Sequence, residues 1–112
     1  MSLSGCRSSG LLTTTDTTVF SGRCKLVSIH GYNAHATAVS TVTIYDNIAS
    51  SGKVVAKFVL PALRGDGVDG SGDATYSPTA VSLEFDMHGV ICHTGLRFTF
   101  SGGTPNVTIE YA

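Results

Sequence analysis

The chain has no tryptophan, three prolines and only 13% charged residues, and each shortage excludes something. Seven Lys and Arg against eight Asp and Glu leave a net charge of −1. There is no basic excess to hold a phosphate backbone, so a nucleic-acid partner is not expected. No apolar stretch approaches the ~20 residues that a spanning helix needs, so no membrane partner is expected either. The cysteines, Cys6, Cys24 and Cys92, are odd in number and widely spaced. That argues against a disulfide framework and for free, mostly buried thiols in a protein assembled in a reducing cytoplasm. Met1-Ser-Leu-Ser-Gly5 has no basic start leading into an apolar run, so a secretory signal is not expected.

What the chain does have is short-range alternation. Leu96, Phe98 and Phe100 share one face of a strand, with Arg97 and Thr99 on the other. Val107, Ile109 and Tyr111 repeat the pattern against Thr108 and Glu110. Ser101-Gly-Gly-Thr-Pro105 lies between them, and a glycine-bearing connection of this length predicts a hairpin. Upstream, Val42 and Ile44 point in while Thr41, Thr43 and Tyr45 point out. Pro61 ends a strand over Lys53–Leu60 whose Val54, Ala56, Phe58 and Leu60 are expected on one face. Val81, Leu83 and Phe85 form a one-sided strand, followed by a short apolar one over Val90–His93. In the stretch 23–30, Lys25, Val27 and Ile29 alternate with Cys24, Leu26 and Ser28. Apolar groups on both sides there suggest a strand covered on both faces, one of them by a subunit contact.

The 112 residues suit one domain, and a chain of this size can bury roughly 65% of its unfolded surface. About seven or eight strands, no long helical period and turns every 8–12 residues predict an all-β, single-domain antiparallel β-sandwich, jelly-roll-like. Two segments stand apart from it. Residues 1–18 are rich in Ser, Thr and Gly and read as a flexible or assembly-ordered arm, with Leu11 and Leu12 as its anchors. Within the domain at 19–112, residues 63–76 carry four glycines and three aspartates and read as an exposed loop.

The chemistry-bearing residues do not assemble into a reactive motif. His88-x-x-x-Cys92-His93 offers three ligand types, but neighbours on a strand point to opposite faces. Asp66, Asp69 and Asp73 lack the alternating spacing of a helical calcium loop. Arg64-Gly-Asp66 is a short sequence in a chain with nothing else extracellular about it. There is no Gly-x-Ser-x-Gly elbow and no glycine loop built to cradle phosphate. Neither an enzyme nor a cofactor or metal is expected. A carbohydrate-binding β-sandwich using Tyr32, Tyr45 or Tyr76 is the alternative of a different class, although the tyrosines are scattered.

Two stretches, taken together, carry a resemblance. They are Thr41-Val-Thr-Ile-Tyr-Asp-Asn47 with Ser51-Gly-Lys-Val-Val-Ala56, and Gly89-Val-Ile-Cys-His-Thr-Gly-Leu-Arg-Phe-Thr-Phe-Ser-Gly102 with Asn106-Val-Thr-Ile-Glu-Tyr-Ala112. They resemble small all-β virion proteins of tailed bacteriophages over roughly residues 19–60 and 81–112. The resemblance implies a many-copy structural part of the virion: a capsid decoration or cement protein, a homotrimer that contacts the major capsid protein. A neck, tail or fibre component is the other placement it implies. Low charge and a threonine-rich wet face suit a subunit whose task is buried area rather than chemistry. Lys25, Val27, Tyr32 and Tyr45 join Leu11 and Leu12 as candidate interface residues.

Overall fold

The computed structural model describes residues 5–63 and 82–112. Eight strands follow in order: β1 (Arg7–Leu12), β2 (Thr17–Ser21), β3 (Cys24–Asn33), β4 (Ser40–Asp46), β5 (Lys53–Leu60), β6 (Leu83–Cys92), β7 (Gly95–Ser101) and β8 (Pro105–Tyr111). They form two four-stranded antiparallel sheets, ordered β1-β8-β3-β6 and β2-β7-β4-β5. The pairs β1·β8, β2·β7, β3·β6 and β4·β5 are the rungs of one long antiparallel hairpin whose tip is the β4–β5 loop. Rolling that hairpin adds the pairs β3·β8 and β4·β7 and closes the double sheet. This is the wrapping of a jelly roll. The strand number and the sandwich class expected from the alternation are those observed.

The core lies between the sheets. Leu12, Leu26, Ile29, Val107 and Ile109 enter it from one side, and Val42, Ile44, Leu60, Leu96 and Phe98 from the other. Aromatic pairs bridge the layers at their margins. Phe20 meets Tyr111 at 5.5 Å and Phe58 meets Phe85 at 4.7 Å between ring centroids, both tilted, as the ring quadrupoles favour.

The predicted closing hairpin does not form. β7 pairs with β2 and β4, whereas β8 pairs with β1 and β3. The two alternating runs have the dry faces expected of them, but those faces meet across the core instead of lying side by side. Gly102 (φ 78°) and Gly103 (φ 67°) supply the left-handed turn that carries the chain over the edge. Pro105, with no N–H to donate, opens β8. In fact every connection between described neighbours crosses between sheets except β4–β5.

Bulges correct three further expectations. In β3 the register shifts between Leu26 and Ser28, so Leu26 and Ile29, three apart, both point inward. The apolar pattern on both faces of that strand therefore comes from a change of phase, with Val27 as the extra residue. In β5 the pairing jumps from Ile44↔Ala56 to Tyr45↔Val54. Val55 turns to the core and Val54 is exposed, the reverse of strict alternation. Val90–His93 is not a separate strand. β6 runs from Leu83 to Cys92 through an irregularity at His88 (φ 54°), where the Asp86 carboxylate accepts the His88 N–H at 2.9 Å.

Residues 7–18, expected as part of an arm, are instead β1, a turn and the start of β2. β1 lies against the chain's own β8, and the Ser9 hydroxyl accepts the Ile109 N–H at 2.9 Å where β1 bulges. The glycine- and aspartate-rich loop lies, except for Leu63, outside the described residues, as do Arg64-Gly-Asp66, Asp69, Asp73 and Tyr76.

Candidate functional site

Two outer faces and two buried polar clusters are the features that could carry function. The first cluster centres on Asn33, which is fully buried at the end of β3. Its Oδ1 accepts the N–H of His35 (3.0 Å) and of Thr104 (2.9 Å), and its Nδ2 donates to the carbonyls of Ala38 (2.7 Å) and Leu60 (3.3 Å). One amide thus ties the β3–β4 loop, the end of β5 and the β7–β8 crossing. His35 serves the same loop, its Nδ1 accepting the Thr37 and Ala38 N–H groups at 3.1 and 2.9 Å. This fixes the proton of a neutral ring on Nε2.

The second cluster is at Asp46. Its buried carboxylate accepts the N–H of His93 (3.0 Å), Thr94 (2.8 Å) and Gly95 (3.3 Å). These three donors cap the tight β6–β7 corner. Burial pushes the Asp46 pKa up, and the three N–H bonds outweigh it, so the net direction is down. Both clusters bind the chain's own backbone, which makes them scaffolds and leaves no group for a substrate.

The histidines and cysteines are dispersed. Cys92, the last residue of β6, is buried, and His93, in the β6–β7 corner, is exposed. His30 lies 3.6 Å from Glu110, and His88 lies 3.6 Å from Asp86 on the bulge. Among the described residues no three His, Cys, Asp or Glu side chains gather in a metal-binding group.

The two outer faces differ in character. On the β1-β8-β3-β6 sheet, Leu11, Thr108, His30 and Glu84 form one cross-strand row, and Ser8, Glu110, Ser28 and Asp86 the next. Ser28 donates to Glu110 at 3.1 Å. This face is acidic and histidine-bearing. On the β2-β7-β4-β5 sheet the rows are Val59, Thr41, Ser101; then Lys57, Thr43, Thr99; then Val54, Tyr45, Arg97, Thr18. Arg97 is held along the surface by Ser50 (3.1 Å) and Thr18 (2.6 Å), and Ser50 in turn donates to Asp16. Threonines, an exposed Val54 and Val59 and the half-buried Tyr45 dominate this face, with Lys57 and Arg97 its charges.

The candidate interface residues do not form one patch. Leu11 is 65% exposed on the acidic sheet, whereas Leu12 is only 7% exposed and belongs to the core, so it cannot anchor a neighbour. Lys25 is exposed at the far end of β3, and Val27 is half-buried in the bulge. Tyr32 is exposed opposite Asn106 on that same sheet, while Tyr45 lies on the other. A sugar-stacking platform built from Tyr32 and Tyr45 together is therefore not available. Val54 was missed as a surface group, whereas Val59 lies with Lys57 on the outer face, where alternation puts it. Strict alternation predicts Val54 inside, and only the register jump reveals it.

The fold is that of an eight-stranded jelly-roll sandwich. No protein family, curated protein or solved structure matches the chain.

Proposed function

We propose that this protein is a bacteriophage virion structural protein, acting as a capsid decoration or cement subunit that stabilises the shell through subunit–subunit contacts. The observation that carries this reading is the outer face of the β2-β7-β4-β5 sheet. It presents Val54, Val59, Tyr45 and a threonine field, with Lys57 and an Arg97 already hydrogen-bonded along the surface as its charges, and exposed apolar groups of this kind gain by being covered. The phage-protein resemblance of residues 41–56 and 89–112 supports the same conclusion, because those stretches include β4, β7 and the start of β5 in this sheet. Copies associate as a homotrimer, and symmetry repeats each contact threefold. The double-sheet sandwich also serves lectins and enzymes, so the face and the resemblance carry the argument, not the fold.

Sedimentation equilibrium tests it, together with pelleting on undecorated phage shells. The expected result is a trimer that binds shells saturably, with both properties lost in Val54→Glu/Val59→Glu while thermal unfolding is unchanged. A protein that stays monomeric and fails to bind shells would refute the reading. If it instead associates with purified tails, the placement moves to the neck, tail or fibre.

A further inference from the structure

The Cys24 and Cys92 thiols are not isolated. They face each other as directly opposed partners on β3 and β6, and both are buried. Opposed residues of an antiparallel pair have Cα atoms ~4.5–5.5 Å apart, within the ~4.4–6.8 Å that a disulfide spans. Cys24 also lines an open surface depression of about 370 Å³ with Arg23, Lys25, Ile91 and Ala112. Cys92 does not line it. Cys24, 5% exposed, is the member of the pair nearer the surface, and Cys92 is fully buried.

We propose that Cys24 and Cys92 form a cross-strand disulfide site, loaded at Cys24 by small anionic disulfides such as glutathione disulfide. The Cys24 thiolate attacks one sulfur of the oxidant, which releases one thiolate and leaves a mixed disulfide on Cys24. The Cys92 thiolate then attacks the Cys24 sulfur and expels the second thiolate. The protein loses two electrons and two protons, and the oxidant becomes two thiols. Arg23 and Lys25 flank the entry and favour a carboxylate-bearing reagent. The roles follow exposure: Cys24, 5% exposed, meets the reagent first, and Cys92, fully buried, resolves the mixed disulfide. Burial raises both thiols, Cys92 to about 12, with the Asp46 carboxylate adding to the rise and Lys53 opposing it at Cys92. Reaction is accordingly slow at neutral pH and accelerates with alkalinity. The bond would join β3 to the β6–β7 corner and harden the subunit once it leaves a reducing compartment. This inference stands independently of the virion reading.

The experiment uses the full chain with the exposed Cys6 replaced (Cys6→Ser) or, in a second preparation, alkylated in the native state. Native protein is incubated with glutathione disulfide, digested without reduction and mapped by mass spectrometry. A peptide containing Cys24 should be linked to one containing Cys92, and both free thiols should disappear. The unfolding midpoint should rise by about 10 °C, given the long chain segment closed, and fall back on reduction. Three results would each overturn the proposal: a stable mixed disulfide without the cross-link, thiols that react only in the urea-unfolded chain, or a cross-link that lowers the midpoint.

Discussion

Replacing Asn33 tests the account of the fold most directly. Asn33 is fully buried and makes four hydrogen bonds, all to backbone groups of segments that are far apart in sequence. Asn33→Ala leaves two N–H groups and two carbonyls without that partner. A stranded buried group costs ~1–3 kcal/mol, and the losses are not additive because the freed loops can relax. The expected total is ~3–5 kcal/mol, a large share of the ~5–15 kcal/mol that holds a domain together. Urea unfolding should show the midpoint falling with an unchanged slope. Asn33→Asp sharpens the test. Its carboxylate would keep the bonds from His35 and Thr104 but would face the Ala38 and Leu60 carbonyls, which repel it. The folded-state pKa of the new group is then raised above its unfolded value of ~3.9. A raised pKa contributes stability that is fully present below ~3.9 and is lost as pH rises through the folded value. The deficit of Asn33→Asp relative to the native protein should therefore be greatest at neutral pH and shrink on acidification. A deficit that is constant between neutral pH and ~4, or an Asn33→Ala loss below ~1 kcal/mol, would refute the bridging role.

Four further outcomes are expected. Asp46→Ala should cost ~2–4 kcal/mol by uncapping the β6–β7 corner. Because folding lowers the Asp46 pKa below its ordinary 3.8, acid titration of the native protein should show a stability component lost below about that pH, and the variant should lack it. Leu12→Ala should lose ~2–4 kcal/mol in chemical denaturation, and Leu11→Ala close to nothing. Equal losses would mean that β1 is placed in the wrong phase. Val55→Asp should unfold the protein and Val54→Asp should not, read by circular dichroism, because the β5 bulge sends only Val55 inward. Among the described residues, the buried Ser40 hydroxyl has no hydrogen-bond partner, so Ser40→Ala should be neutral or stabilising by about 1 kcal/mol in thermal melts.

The candidate surfaces were legible only in part. The Thr-Val-Thr pattern at 41–43 announced a threonine-rich outer face, and the dry faces of residues 42–44, 96–98 and 107–109 could be read from their period alone. Leu12 was unreadable as core because nothing in Leu11-Leu12 says which leucine faces inward. Its register against Val107, set by the bulge at Ser9 and Gly10, decides that. Asp46 and Asn33 look like ordinary turn residues in sequence. Their importance comes from partners 48 and 71 positions away, Thr94 and Thr104.

By itself, then, the sequence determined most of the strands, though not β1 or the continuity of β6, and most of the side chains that seek the dry side, because the period of two is a local property of extended backbone. Only the tertiary structure decided which strands pair, where a bulge reverses the alternation, and that the last two strands meet face to face across the core. Backbone hydrogen bonds are alike at every residue, so a ladder does not name its partner. Partners are chosen by how the whole set of apolar faces can be covered at once, and that is settled only when all eight strands are in place.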